Sequence, residues 1–426
     1  MTTVHDRPIA PAAPGSAAPA EPSVRERARI VLVLGSLIAL GPLTIDMYLP
    51  ALPAIETALN TSPAAIQLTL TGTLAGVAVG QLVIGPLSDA LGRRRPLIAG
   101  TVLHVLASVL CVVAPNVALL GVLRVLQGLG AAAAGVIAMA VVRDLFSGLT
   151  VARVLSRLML VMGVAPVLAP TLGSQLLRWT NWRGVFVALA VLGAGLVAVS
   201  RFALRETLPP ERRRSGGLTG TVRTYAGLLG DRVYLGLVLV TGLAMAALFA
   251  YVSGSSFVLQ QQYGLDEQQF GIAFGAGSVS LIAATQLNVR LLRRFTPQRI
   301  LTGALVGGTV AGAVLLLFAA AGVGGLAGVL VPLWVVLGAT GLVFPNAPAI
   351  ALARHGEAAG TASALLGAVQ FGVGALAAPL VGVLGNGSAA MAAVVAAGML
   401  LSATVLVTVV RPGRLPASEA ALPQEV

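Results

Sequence analysis

The sequence predicts an all-α membrane protein of twelve transmembrane helices in two six-helix halves, and three observations predict it. Hydrophobic residues fill 57% of the 426 positions and charged residues only 10%, a balance suited to a chain whose main solvent is lipid. Apolar stretches long enough to cross a bilayer recur from Ile30 to Val410. Inside them Gly, present 51 times, and Ala are frequent, which suits helices that approach through small side chains better than the period-two alternation of a β-barrel.

Taken in order, residues 1–24 are rich in Pro and Ala, lack periodicity and are expected to form a disordered cytoplasmic tail. The run from Ile30 continues past Pro42 without a small-residue cleavage site, so it reads as a first span rather than a signal peptide. Gly, Pro and Arg punctuation then places spans near 30–50, 66–87, 97–114, 119–142, 153–177 and 183–204, an N-terminal bundle over 25–204. A polar linker over 205–228 leads to spans near 232–260, 268–291, 298–321, 326–352, 358–384 and 388–410, a C-terminal bundle over 229–411 followed by a tail at 412–426. Only the Gly-rich segment from Gly322 to Gly328 separates the ninth span from the tenth.

The formal charge of +12 is carried by arginines in short interruptions between apolar runs, so it reads as a topology signal and not as a nucleic-acid surface. Arg25, Arg27 and Arg29, Arg93 to Arg95, Arg143, Arg153 and Arg157, Arg201 to Arg232, Arg290 to Arg299, Arg354, Arg411 and Arg414 share one side. The other side has Arg178 and Arg183 with the acidic Glu56, Asp266 and Glu267. Both termini are therefore expected in the cytoplasm. The run Arg212 to Arg214 reads as a solvated linker. A single Cys111, and no His/Asp/Glu cluster at ligand spacing, give no disulfide framework and no metal site. No nucleotide motif or nucleophile constellation points to a cofactor or an enzyme.

Charge inside a span is costly and needs compensation. Asp46 and Arg124 lie inside apolar runs at matching depths in the first and fourth spans, so they are expected to approach each other. Asp46 reads as a carboxylate that gains and loses a proton; a static buried pair is the competing reading. Gln127 shares the Arg124 face at i+3. His104 reads as a hydrogen-bonded helix residue. Phe249, Tyr251, Ser253, Ser256 and Phe257 in the seventh span, and Phe344, Pro345 and Asn346 in the tenth, suit either cavity lining or interhelical packing. The series Gly72, Gly76, Gly80 marks a close helix contact. Pro166 and Pro170, with Gly163 and Gly173, suit a bend and close packing in the fifth span. Asp144, at the end of the fourth span, is placed to pair with Arg93.

Between the second and third spans stands Gly85-Pro86-Leu87-Ser88-Asp89-Ala90-Leu91-Gly92-Arg93-Arg94-Arg95. Gly85 is expected to let helices approach, Asp89 to accept from Arg or helix amides, and Gly92 to permit a tight turn. The segment resembles the G-x-L-x-D-x-x-G-R-R/K signature of the major facilitator superfamily. Ile45-Asp46-Met47-Tyr48-Leu49-Pro50-Ala51-Leu52-Pro53 is similar to the first-helix motif of its drug/proton antiporters, especially the Bcr/CflA (bicyclomycin and chloramphenicol resistance) type. Leu123-Arg124-Val125-Leu126-Gln127-Gly128-Leu129-Gly130 and Ala165-Pro166-Val167-Leu168-Ala169-Pro170-Thr171-Leu172-Gly173 resemble the fourth-helix and antiporter motifs of that group. The last has Ala169 and Ser174 where the general motif has Gly, and the second-half loop Asn288 to Arg299 keeps arginines but lacks the Gly and Asp positions.

The resemblance implies two pseudo-symmetric bundles rocking about a central cavity lined by helices one, four, seven and ten. Asp46 and Arg124 would then handle protons, while Tyr48, Gln127, Phe249, Tyr251, Phe257 and Asn346 meet substrate. Gly85, Asp89, Gly92, Arg93 and Asp144 would gate. The implied function is proton-coupled efflux of small amphipathic molecules or antibiotics across the cell membrane by a monomer, with no cofactor; transport of one specific metabolite on the same scaffold is the alternative.

Overall fold

In the computed structural model, residues 24–213 and 218–414 are described. Arg214 and, but for Val24 and residues 412–414, the expected tails lie outside them. Among the described residues, twelve helices are long and apolar enough to cross a membrane. They are α1 (Val24–Asp46), α2 (Pro63–Leu91), α3 (Arg94–Val112), α4 (Val117–Leu145), α5 (Gly148–Leu177) and α6 (Arg183–Ala203), then α7 (Arg232–Phe257), α8 (Glu267–Leu291), α9 (Pro297–Ala321), α10 (Gly325–Ala353), α11 (Ala359–Ala377) and α12 (Ser388–Val405).

Local chemistry sets the helix starts. Ser62 accepts from the Ala65 amide with Pro63 at the first helical position, Asn116 accepts from Leu119, and Asp231 accepts from Val233 and Tyr234. Asp266 and Gln269 form a reciprocal capping box. The turn between α9 and α10 uses Gly322, Gly324 and Gly325 at φ of +67°, +73° and +54°, values that a side chain would resist. Helix α1 runs on past its α-helical end through a 3-10 turn at Leu49–Ala51 into a short helix at Leu52–Ala58, and α7 and α12 run on through π-helical turns at Val258–Gln262 and Leu406–Val410. The linker contains a helix of its own, Leu218–Gly230.

Inside the N-terminal bundle the glycine series on α2 meets α4. A Cβ at Gly72 would meet the Gly121 carbonyl, and one at Gly76 or Gly80 would meet Val125 or Ala132. The bundles meet along two further seams, α2 with α11 and α5 with α8.

Hydrogen bonds across the seams gather at the end opposite the arginine clusters. Gln67 donates to Asn386 at 2.9 Å and accepts from the Gly382 amide at 2.8 Å. Ser256 donates to the Leu49 carbonyl at 2.6 Å, and Gln261 to Glu56 at 2.9 Å. Ser174 donates to the Glu267 carbonyl at 2.7 Å. The first span ends in this latch, so Asp46 lies just beneath it.

Candidate functional site: a buried arginine, an unpaired carboxylate and a gating loop

Arg124 enters α4 two turns from its Asn116 cap and is fully buried. Because α1 stops at Asp46, the carbonyls of its last turn are left for other donors. Arg124 Nη1 takes one of them, donating to the Thr44 carbonyl at 3.0 Å, and also donates to Gln127 Oε1 at 2.5 Å. Its guanidinium lies 4.4 Å from the Tyr48 ring centroid and 5.8 Å from that of Phe186, contacts favourable to a desolvated cation. Gln127 Nε2 donates to Ser108 at 2.8 Å, the Thr44 hydroxyl bonds His104 Nε2 at 2.9 Å, and Tyr48 bonds Thr69 at 2.8 Å. One polar network therefore joins α1, α2, α3 and α4. Arg124 Nε and Nη2 and His104 Nδ1 remain buried without a partner, and the two unused guanidinium donors mark a place to receive an acceptor.

Asp46 does not join this network. It is only 6% exposed, yet among the described residues no cation lies within ion-pair distance of it. Its electrostatic neighbour is Tyr251 on α7, in the other bundle. Hence the approach to Arg124 expected from matching depth does not occur. Depth fixes one coordinate, but direction around the axis fixes the contact. Thr44 reaches α3 and α4 through His104 and Arg124, and Asp46, two residues after Thr44, points about 200° round the helix from it.

Opposite Asp46 stands an aromatic wall. Tyr251 stacks on Phe274 with centroids 5.0 Å apart, and Phe274 meets Phe270 at 5.8 Å. Gly277 makes room for this group, since a Cβ there would meet the Tyr251 hydroxyl at 3.1 Å and Trp334 at 3.4 Å. The Trp334 indole N–H is buried without a partner. Sequence reasoning missed Phe270, Phe274 and Trp334; the aromatic spacing across α8 and α10 was the available signal. Phe249 packs on Phe371 at 6.1 Å, filling space left by Gly374, and Phe257 is buried near the latch. Asn346 donates to Asn288 and to the Leu342 carbonyl, both at 2.7 Å, so its amide ties α10 to α8 away from Tyr251.

On α5, Pro166 and Pro170 lie inside the helix. Ser174 donates to the Pro170 carbonyl as well as across the seam to Glu267. Gly173 sits against the Met47 carbonyl, directly after Asp46, whereas a Cβ at Gly163 would make only an ordinary 3.6 Å contact with Ile282 of α8.

In the loop between α2 and α3, Arg93 gathers the carboxylates. Nη1 donates to Asp89 at 2.5 Å and Ser88 at 2.8 Å, and Nε donates to Asp144 at 2.8 Å. Burial opposes its charge, but the bonds to Asp144 and Asp89 outweigh it and hold the guanidinium above its usual value. Gly92, at φ +88°, has Glu206 where a Cβ would go. Glu206, also missed in the sequence, accepts from the amides of Arg93 (2.8 Å), Arg94 (3.2 Å), Thr207 (3.1 Å) and Leu208 (3.0 Å). Partial burial pushes its carboxyl up, and these backbone bonds pull it below the usual range. The close approach expected at Gly85 is absent: a Cβ there would meet nothing within 4 Å. Gly85 precedes Pro86 inside α2, where the proline ring crowds the Cβ of the residue before it, so a glycine suits that position without any neighbouring helix.

A two-bundle helical fold with a signature loop at one end and buried ionisable groups near the other defines a class, that of membrane transporters. The family model of the Major Facilitator Superfamily matches residues 34–379, and the chain belongs to that superfamily. An uncharacterized MFS-type transporter of Bacillus subtilis (strain 168), YdgK, is 38% identical over 364 residues, 85% of this chain and 90% of that one. A bicyclomycin resistance protein homolog of Haemophilus influenzae is 32% identical, covering 82% of this chain and 88% of its own. A chloramphenicol resistance protein of Pseudomonas aeruginosa is 31% identical over 81% and 82%. Among solved structures, a D-xylose-proton symporter superposes with a TM-score of 0.72 at 15% identity over 92% of this chain and 99% of its own, a likeness of fold.

Proposed function

We propose that this chain is a proton-coupled exporter of small drug-like molecules, working by alternating access, with the arginine-rich end and both termini in the cytoplasm. The observation that carries the reading is Asp46, a buried carboxylate without a cation, at the bundle interface and within electrostatic reach of Tyr251. A carboxylate so placed binds a proton when the surrounding cavity dries and releases it when water returns, so its charge follows the bundles' motion. Arg124 lies in the same bundle but out of ion-pair reach of Asp46, with two nitrogens free for a substrate acceptor or water. The aromatic wall of Tyr251, Phe274 and Trp334 suits flat apolar substrates.

The latch at the end away from the arginines supports an inward-facing state in this orientation. The relatives named for resistance to bicyclomycin and chloramphenicol support drug-like cargo. Each proton moving inward supplies about 2.3 kcal/mol per 100 mV, so one or two suffice to concentrate a solute outward.

The deciding experiment uses reconstituted vesicles with an imposed pH gradient and a panel of drugs. Asp46→Asn is expected to abolish gradient-driven efflux while the protein still inserts and binds drug. Efflux by the variant with an unchanged response to the gradient would remove Asp46 from coupling.

A further inference from the structure

A second polar site lies outside the transport path, at the arginine-rich end. A cavity of about 330 Å³ opens between the start of α3, the end of α6 and the linker, lined by Arg94, Arg95, Ile98, Arg201, Glu206 and Arg213. Four cations thus face one carboxylate, and that carboxylate is already engaged by four backbone amides. Among the described residues none of the four arginines forms an ion pair. Arg94 Nη2 is spent on the Arg201 carbonyl and Arg213 Nε bonds the Leu208 carbonyl at 3.4 Å, whereas Arg94 Nε is buried without an acceptor. Holding four guanidinium groups around one space costs repulsion that a bound anion relieves.

We infer that this cavity binds a phosphate group, and that the favoured source is the headgroup of an anionic phospholipid. Guanidinium groups match phosphate oxygens in pairs. Below the cavity Val102 and Leu106 on α3, with Val199 and Phe202 on α6, are exposed, an apolar strip on which acyl chains can lie. Arg213 and Glu206 belong to the linker, so an occupied site ties the linker to the N-terminal bundle. The inference does not depend on the transported solute or on Asp46.

The test is lipid retention by the delipidated full-length protein in detergent, read by native mass spectrometry with phosphatidylglycerol or phosphatidylcholine added. Wild-type protein is expected to retain phosphatidylglycerol at least about tenfold better than phosphatidylcholine. Arg95→Gln with Arg201→Gln, whose guanidinium groups make no hydrogen bond here, is expected to lower that retention about thirtyfold, the weight of two arginines near an anionic surface. Arg290→Gln with Arg293→Gln, at the same end of the C-terminal bundle, should leave it unchanged. Displacement of the lipid by millimolar inorganic phosphate would keep the phosphate site and make free phosphate a competing source. Equal retention of both lipids, no change in the cavity variant, or an equal loss in the control variant would each overturn it.

Discussion

The two bundles share a fold but divide the chemistry. The N-terminal bundle buries an acid, a guanidinium and an imidazole in Asp46, Arg124 and His104, while the buried polar residues of the C-terminal bundle are neutral hydroxyls and amides such as Thr241, Ser253, Asn288 and Asn346. Toward the charged side, the C-terminal bundle offers the stacked rings of Tyr251 and Phe274, with Phe249 packed on Phe371. The difference teaches that duplication of a scaffold does not require duplication of its site: one half can hold charge while the other supplies an apolar counter-surface.

The sharpest way to break that division is to alter the guanidinium without removing its charge. Arg124→Lys keeps a cation but cannot lie flat over Tyr48 while bonding the Thr44 carbonyl and Gln127. A desolvated cation–ring contact is worth ~2 kcal/mol, so drug efflux in vesicles is expected to fall about thirtyfold. Phe249→Leu, in the aromatic half, should change the apparent affinity for drug and leave the pH dependence of efflux intact. A shift of that pH dependence by Phe249→Leu would blur the division.

Packing gives the next contrast. Gly76→Ala would press a methyl into the Val125 backbone carbonyl, and backbone cannot step aside cheaply. Its expected cost is about 1–3 kcal/mol, the range for overpacking, read as a lowered unfolding midpoint in detergent. Gly242→Ala, on α7, meets only the side chains of Val369 and Val373 at 3.2 and 3.3 Å, and should cost less than half as much.

These contrasts show where the sequence was readable. Composition and apolar run length placed all twelve spans, because bilayer thickness imposes a length that few soluble helices share. The spacing of Gly72, Gly76 and Gly80 announced the α2–α4 contact, since small residues four apart fall on one helix face. The site was read less fully. Asp46 and Arg124 stood out as charges in apolar runs, but their separation depends on rotation about α1, which turns Asp46 about 200° away from Thr44. Glu206 was invisible because its partners are backbone amides, two of its own neighbours and two of a loop 112 or 113 positions earlier, and amides leave no mark in a sequence.

The ion clusters at the arginine-rich end allow a third comparison. Arg93 holds Asp89 and Asp144 in the N-terminal bundle, whereas in the C-terminal bundle Asp231 holds Arg354 and His355, each at 3.1 Å. Asp144→Asn should weaken a charged hydrogen bond worth about 1.5–3 kcal/mol and slow turnover without abolishing drug binding. Asp231→Asn should do less, because Asn still caps α7 through Val233 and Tyr234. Equal effects on turnover would assign the two clusters equal roles in gating.

The smallest effect is expected at Glu206, and pH sets its sign. The folded carboxyl lies below its usual range because four amides favour the charged form. Its contribution is therefore complete above the unfolded value near ~4.3 and is lost as pH falls through the lower folded value. At neutral pH Glu206→Gln replaces one accepting oxygen with an amide that meets the Arg93 or Arg94 N–H donor to donor. The linker should then detach more readily, seen as faster tryptic cleavage among Arg205 to Arg213 in the variant than in wild type. Lowering the pH of a pre-incubation toward 3, before dilution into the protease at neutral pH for a pulse shorter than re-docking, should narrow the gap as wild-type Glu206 takes up its proton. The matching pair Asp231 and Asp231→Asn should show a weaker divergence around Arg232. A gap at Glu206 that stays constant over the whole range would mean that the linker is held by contacts other than this carboxylate.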